Sequence, residues 1–150
     1  MRLHRRLSLL AAGLAAGALL ASCQTLSGSG VSSADFTRLK QAVSDDRARL
    51  REAVSESSPE RVPAILDALS GRFDEIWAAA PGMNLLDREH MAIQLASGRK
   101  IIVTAKQWAA SSDIEAVRSE TQRLDVVLGE VEVLLDRSVR ATAEPAPSGS

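Results

Sequence analysis

Tyrosine is absent from this chain of 150 residues, and its aromatics are Phe36, Phe73, Trp77 and Trp108 alone. Whatever core forms must therefore be aliphatic. Cys23 is the single cysteine, so no intrachain disulfide can form and packing has to hold the fold unaided. C-x-x-C-H does not occur, which excludes a c-type haem attachment. No G-x-S-x-G elbow is present to carry a serine nucleophile. Lys and Arg nowhere form a run interleaved with aromatics, so the footprint expected of a nucleic-acid binder is missing. No apolar run reaches the roughly 20 residues that a spanning helix needs.

The front of the chain is the most informative stretch. Arg2, Arg5 and Arg6 form a basic start, Leu7 to Leu20 contains only Leu, Ala, Gly and Ser, and small residues lead into Cys23. This is the three-part layout of a secretory signal. The closing residues Leu20, Ala21, Ser22 and Cys23 resemble the lipobox of bacterial lipoprotein signal peptides. That resemblance implies cleavage before Cys23, a diacylglycerol on its sulfur and an acyl chain on its new amino group. Each buried methylene contributes about 0.8 kcal/mol, and one myristoyl chain alone binds only marginally, so several chains make a stable anchor. The competing reading is ordinary signal-peptidase cleavage at Ala16-Gly17-Ala18, which would leave Cys23 as a lone thiol in an oxidising compartment. In lipoproteins of double-membraned bacteria an aspartate after the cysteine commonly retains the protein in the inner membrane. Here the position is Gln24, which favours the outer membrane, facing the periplasm.

Loss of residues 1–22 removes three arginines and no acid, leaving fifteen basic against nineteen acidic residues and a net charge of −4 with His90 neutral. Such a mildly acidic surface argues against nucleic acid as a partner. The expected organisation is a signal peptide over 1–22, lipidated Cys23 with a Ser/Gly-rich tether over 23–33, one helical domain over 34–140, and a Pro/Ser/Ala-rich disordered tail over 141–150. The 128 residues that remain after cleavage make one domain by the usual length prior.

Periodicity predicts four helices in that domain. The last, about Asp113 to Arg140, carries Ile114, Val117, Thr121, Leu124, Leu128, Val131 and Leu135 at spacings of three and four. Val127 and Leu134 widen this stripe, and Ser112 with Glu115 reads as its capping box. Helix two, about Pro59 to Ala80, has Val62, Leu66, Leu69, Phe73, Ile76 and Ala80 in phase, with Ser58-Pro59 as a start signal. Pro63 is less comfortable, and the regular part can begin a turn later. Helix one, about Ala34 to Val54, aligns Phe36, Leu39, Val43, Leu50 and Ala53 but puts Asp46 within the stripe. It is therefore expected to be the least deeply packed. Helix three, about Leu85 to Ala109, opens with Asn84 as cap and presents Met91, Leu95, Gly98, Ile102, Ala105 and Ala109. Its segment Gly98 to Thr104 (GRKIIVT) suits a strand as well, but no second strand exists to pair with it. The fold class expected is all-α, an antiparallel four-helix bundle. The rival arrangement is a homo-oligomer in which the helix over 113–140 zips to copies of itself.

The chemistry-bearing residues are sparse. His90 is the one histidine left after cleavage, so any histidine-dependent nucleophilic site must use it. With Asp87 it makes a D-x-x-H step, faintly like the E-x-x-H of di-iron bundles, but those sites need two histidines. Asp45-Asp46 and Glu130-x-Glu132 fit solvated helix faces better than an acid and base pair. Arg99-Lys100 and the trio Arg47, Arg49 and Arg51 can meet lipid phosphates, although residues two apart diverge on a helix. Trp77 and Trp108 read as bulk that closes the bundle, or as binding hot spots. No catalytic residue, metal or cofactor is therefore expected. The function expected is a non-catalytic interaction or assembly module of the cell envelope, anchored through Cys23 and docking an envelope protein. In general plan it resembles the small helical lipoproteins that serve as pilotins for secretins. A carrier of a small apolar ligand or lipid in the bundle interior is the alternative.

Overall fold

The computed structural model describes residues 30–143. The signal segment with Leu20, Ala21, Ser22 and Cys23, the tether as far as 29, and the tail from 144 lie outside the described residues. Four helices follow in order: α1 (Ser33–Ser55), α2 (Val62–Ala79), α3 (Leu85–Ala110) and α4 (Ile114–Ala143), with a short 3₁₀ turn, Ala80–Gly82, between α2 and α3. The segment 98–104 is helical throughout, because Gly98, Ile102 and Ala105 fall on the face that α3 buries.

Charged side chains between the helices fix their direction. Lys40 meets Asp136 at 2.6 Å while Arg47, further along α1, meets Asp125, earlier in α4. Asp67 pairs with Lys106 and Asp74 with Arg99, and Asp87 faces Arg137. Between α1 and α2, Arg38 meets Glu75 and Asp46 meets Arg72; rising numbers on one helix meet falling numbers on the next, and the neighbours run antiparallel. α4 closes the ring with its most extensive contacts to α1 and α3, and the four-helix bundle is complete.

The core is aliphatic around Phe36 and Phe73, both fully buried. The five in-phase positions of α2, Ala80 in the turn after it, all six of α3 and the five of α1 are buried. In α4 Val117 to Leu135 are buried along the stripe, and Ile114 sits half-buried at its start. Side chains of about this size each contribute roughly 1.5–3 kcal/mol when fully buried. Gly98 marks the tightest crossing: a Cβ there would lie 2.5 Å from Phe73 Cε2 and 2.7 Å from Cζ.

Two local expectations are corrected, and the later start allowed for helix two is the one observed. Helix one is not weakly packed, since Asp46 is 0% exposed and pairs with Arg49 and with Arg72 of α2, the latter at 3.3 Å. A buried carboxylate persists in a core when it is paired and hydrogen-bonded, and those two arginines let α1 keep an acid in its inward stripe. α2 begins at Val62 with Pro63 in its first turn, where the missing N–H breaks no bond. Ser58 to Arg61 instead form turns, with Arg61 N–H donating to Ser58 O at 3.1 Å. At α4 the cap is Asp113, whose Oδ1 accepts from Ala116 N–H at 3.0 Å. Ser112 cannot cap because it terminates α3 in the left-handed region, φ 59°, with Asp113 N–H bonded back to Trp108 O at 3.1 Å.

Candidate functional site

The bundle has two chemically distinct ends. One carries the α2–α3 turn, the start of α1 and the last turns of α4. Val31 precedes α1 here and packs against the core, and a Cβ on Gly82 would come within 2.6 Å of Val31 Cβ and 3.3 Å of Phe36 Cζ. Gly82 is thus the gap into which the incoming chain settles. Ser32 then caps α1 in a capping box with Asp35: Asp35 N–H donates to Ser32 Oγ at 3.2 Å, and Ser32 N–H donates to Asp35 at 3.0 Å. The Ser32 hydroxyl, which donates to Asp35 Oδ2 at 2.7 Å, and the Ser32 N–H together hold the Asp35 carboxyl below its ordinary range. The first helix thus starts at Ser33, one residue before the expected boundary at Ala34.

Asn84 caps α3 as expected, accepting from Asp87 N–H at 2.9 Å, and its amide donates to Asp87 at 2.6 Å. Asp87 is 6% exposed and faces Arg137 of α4 at 3.4 Å. Its carboxylate is committed to this cap and ion pair. His90 is exposed, one turn further on, and lines a cleft of about 280 Å³ with Gln94, Glu130, Val133, Leu134 and Arg137. The D-x-x-H step therefore does not converge on one point. Among the described residues no group of three His, Cys, Asp or Glu side chains is arranged to hold a metal ion.

The acidic pairs also separate. Asp45 is exposed and accepts from Gln41 at 2.8 Å, whereas Asp46 points inward. Glu130 faces solvent, and Glu132 turns to α1. There Arg47 forms a two-pronged contact with Asp125, at 2.7 and 2.9 Å, and reaches Glu132 at 2.8 Å. Gly129 lies between the two acids on α4, and the Arg47 guanidinium occupies the space beside it, 3.5 Å from where a Cβ would stand. Arg51 adds a second fork to Asp125 at 2.7 and 2.8 Å. The hydrogen bonds from Arg47, reinforced by Arg51, hold the Asp125 carboxyl well below the usual carboxylate range despite its burial. The same contact with Asp125 raises Arg47 above the ordinary guanidinium value. Spacing of two separates Arg49 from this group, as expected, but spacing of four unites Arg47 and Arg51 on one acid. The partner was invisible in the local sequence because Asp125 lies 78 residues from Arg47.

A cleft of about 340 Å³ opens beside this cluster between Arg51, Val54, Arg118, Thr121 and Asp125. It lies on the surface, between α1 and α4. The tryptophans are not closing bulk: each is 42% exposed. Trp77 stands near the end of α2 with the Arg88 guanidinium 5.7 Å from its ring centroid, a cation–π arrangement. Trp108 stands near the opposite end. Ile93, Val126 and Val133 are further large apolar side chains directed outward, 64%, 68% and 45% exposed. No described helix is long and apolar enough to cross a membrane. Comparison with protein-family models, curated proteins and solved structures finds no match for this chain.

Proposed function

We propose that the chain is a bacterial lipoprotein held in the membrane by acyl chains on Cys23, and that its bundle is a non-catalytic interaction or assembly module of the cell envelope. The observation that carries the reading is Leu20-Ala21-Ser22-Cys23, which closes an apolar signal-like run on the one cysteine of the chain. Further support comes from the fold. The chain that leads back to Cys23 leaves the bundle at one end, beside Gly82, so an anchor there would leave the long sides free. Those sides carry Ile93, Val126 and Val133, exposed apolar side chains suited to a protein partner. Gln24 after the cysteine favours the outer membrane, with the bundle facing the periplasm.

Metabolic labelling with a palmitate analogue tests the anchor: label and membrane association are expected in the natural chain and lost together in Cys23→Ser. Photo-cross-linking residues at Ile93, Val126 and Val133 test the module, with a discrete adduct to an envelope protein expected from at least one. Label that survives Cys23→Ser would overturn the anchor, and the absence of an adduct from all three positions would overturn the module.

A further inference from the structure

The turn that receives the incoming chain has an unusual surface. From Trp77 to Arg88 the exposed side chains are Trp77, Ala78, Pro81, Asn84, Leu85, Leu86 and Arg88. Trp77 is 42% exposed, Leu86 61% and Leu85 73%, values that leave most of each leucine in water. The one carboxylate in the segment, Asp87, is withdrawn into the cap and the pair with Arg137. Glu89 is the first exposed acid beyond it. At the opposite end of the bundle Glu56, Glu60, Asp113 and Glu115 are all exposed around the two turns. Both ends carry exposed acids, Asp35, Glu75 and Glu89 at this one, and at the other Arg61 and Arg118 pair with Glu56 and Glu115; what sets this tip apart is its exposed apolar surface, Trp77, Leu85 and Leu86 against Trp108 alone near the opposite end.

We infer that the Trp77–Arg88 tip docks into the interface of a lipid bilayer, with Trp77, Leu85 and Leu86 at the boundary between headgroups and acyl chains and Arg88 on lipid phosphate. The inference rests on the anchoring reading above, because the length of chain selects the occupant. Six residues lie between Cys23 and Gly30, and the seven steps from one to the other reach at most about 25 Å. Val31 is fastened to Gly82 within the tip itself. An acylated sulfur therefore keeps this patch within a few tens of ångströms of the lipid surface, while the opposite tip lies at the far end of helices up to 30 residues long. The chemistry agrees with that placement. A tryptophan has an apolar body and a polar N–H and favours the membrane boundary. The arginine beside it supplies a positive charge for an anionic headgroup, and Glu75, the exposed acid that shares a cleft with Ala78, is paired with Arg38 and Arg72.

The two tryptophans make the test direct, since one stands at each end. The acylated chain is reconstituted into vesicles of phosphatidylethanolamine and phosphatidylglycerol carrying bromine on the acyl chains. Trp108→Phe leaves Trp77 as reporter, and Trp77→Phe leaves Trp108 as reference. Trp77 emission is expected to be quenched several-fold more than Trp108 emission, and Leu85→Ser with Leu86→Ser should abolish most of the excess. Equal quenching of both reporters in protein that floats with the vesicles overturns the docking while leaving the anchor intact. Protein that does not float, with unmodified Cys23 by mass, removes the anchor and the docking together. An unquenched Trp77 whose emission shifts to the blue as protein density in the membrane rises would assign the patch to a second copy, which also overturns the inference.

Discussion

Replacing Gly98 by alanine puts two opposing effects at one position, and the structure says which wins. Alanine is favoured over glycine in a helix interior by about 0.8–1.0 kcal/mol. At Gly98 the new methyl would lie 2.5 and 2.7 Å from two ring atoms of Phe73, with Val127 Cγ1 at 3.4 Å. Phe73 is 0% exposed, so the ring has no solvent to retreat into. Overpacking of this kind costs about 1–3 kcal/mol, which leaves Gly98→Ala destabilising by up to about 2 kcal/mol once propensity is subtracted. Gly71 of α2 supplies the control, because a Cβ there meets nothing within 4 Å. Gly71→Ala should stabilise by the propensity gain alone. The propensity cancels in the difference between the two variants, which isolates the steric cost at about 1–3 kcal/mol. Urea unfolding of both variants, followed by far-ultraviolet circular dichroism, measures that difference. In heat unfolding each kcal/mol moves the midpoint by roughly 4 °C for a domain of this size. If the two substitutions raise stability equally, the close approach of α3 to Phe73 does not exist and the packing described here is wrong.

Arg47→Met should destabilise the bundle by about 1–3 kcal/mol, because it strips Glu132 of its partner and halves the contacts of Asp125; urea midpoints decide. Acid tests the same cluster: Asp125 titrates well below its unfolded value of about 3.9. Its contribution is therefore fully present above pH 5, and is lost as pH falls below 4 toward the folded value. Asp125→Asn should flatten that part of the pH profile, and an unchanged acid slope would contradict the assignment. At the α3–α4 turn Ser112→Gly should stabilise by about 1 kcal/mol by relieving a left-handed serine. Asp113→Ala should cost about 1 kcal/mol through loss of the α4 cap. The reverse pattern, read from the same midpoints, would restore the cap to Ser112.

The fold was largely legible because spacing of three and four is a direct image of a helix face. The inward positions of α2 and α3 could be named from sequence alone, down to Gly98 and Ala109. Asn84 was readable as a cap because the residues after it begin a clear stripe. Two features were not legible, one a matter of backbone conformation and the other of a distant partner. The left-handed serines at 57 and 112 end α1 and α3 without the glycine that usually marks such a position, so the start of α4 was displaced by one residue. Asp46 looked like a defect in α1 because its partner Arg72 is contributed by another helix. The tryptophans misled in another way: apolar neighbours at helical spacing suggested burial, whereas both stand on the flank of their stripe. Of the candidate site, Cys23 is carried by a motif and the Trp77–Arg88 tip only by the fold, since nothing local tells that Asp87 withdraws while Leu85 and Leu86 stay outside.

The intact mass of the mature polypeptide, purified from envelope, bears most directly on the account. The expected species begins at Cys23 and carries a diacylglycerol and an N-acyl chain. A polypeptide with an unmodified sulfur, or one cut after Ala18, would contradict it.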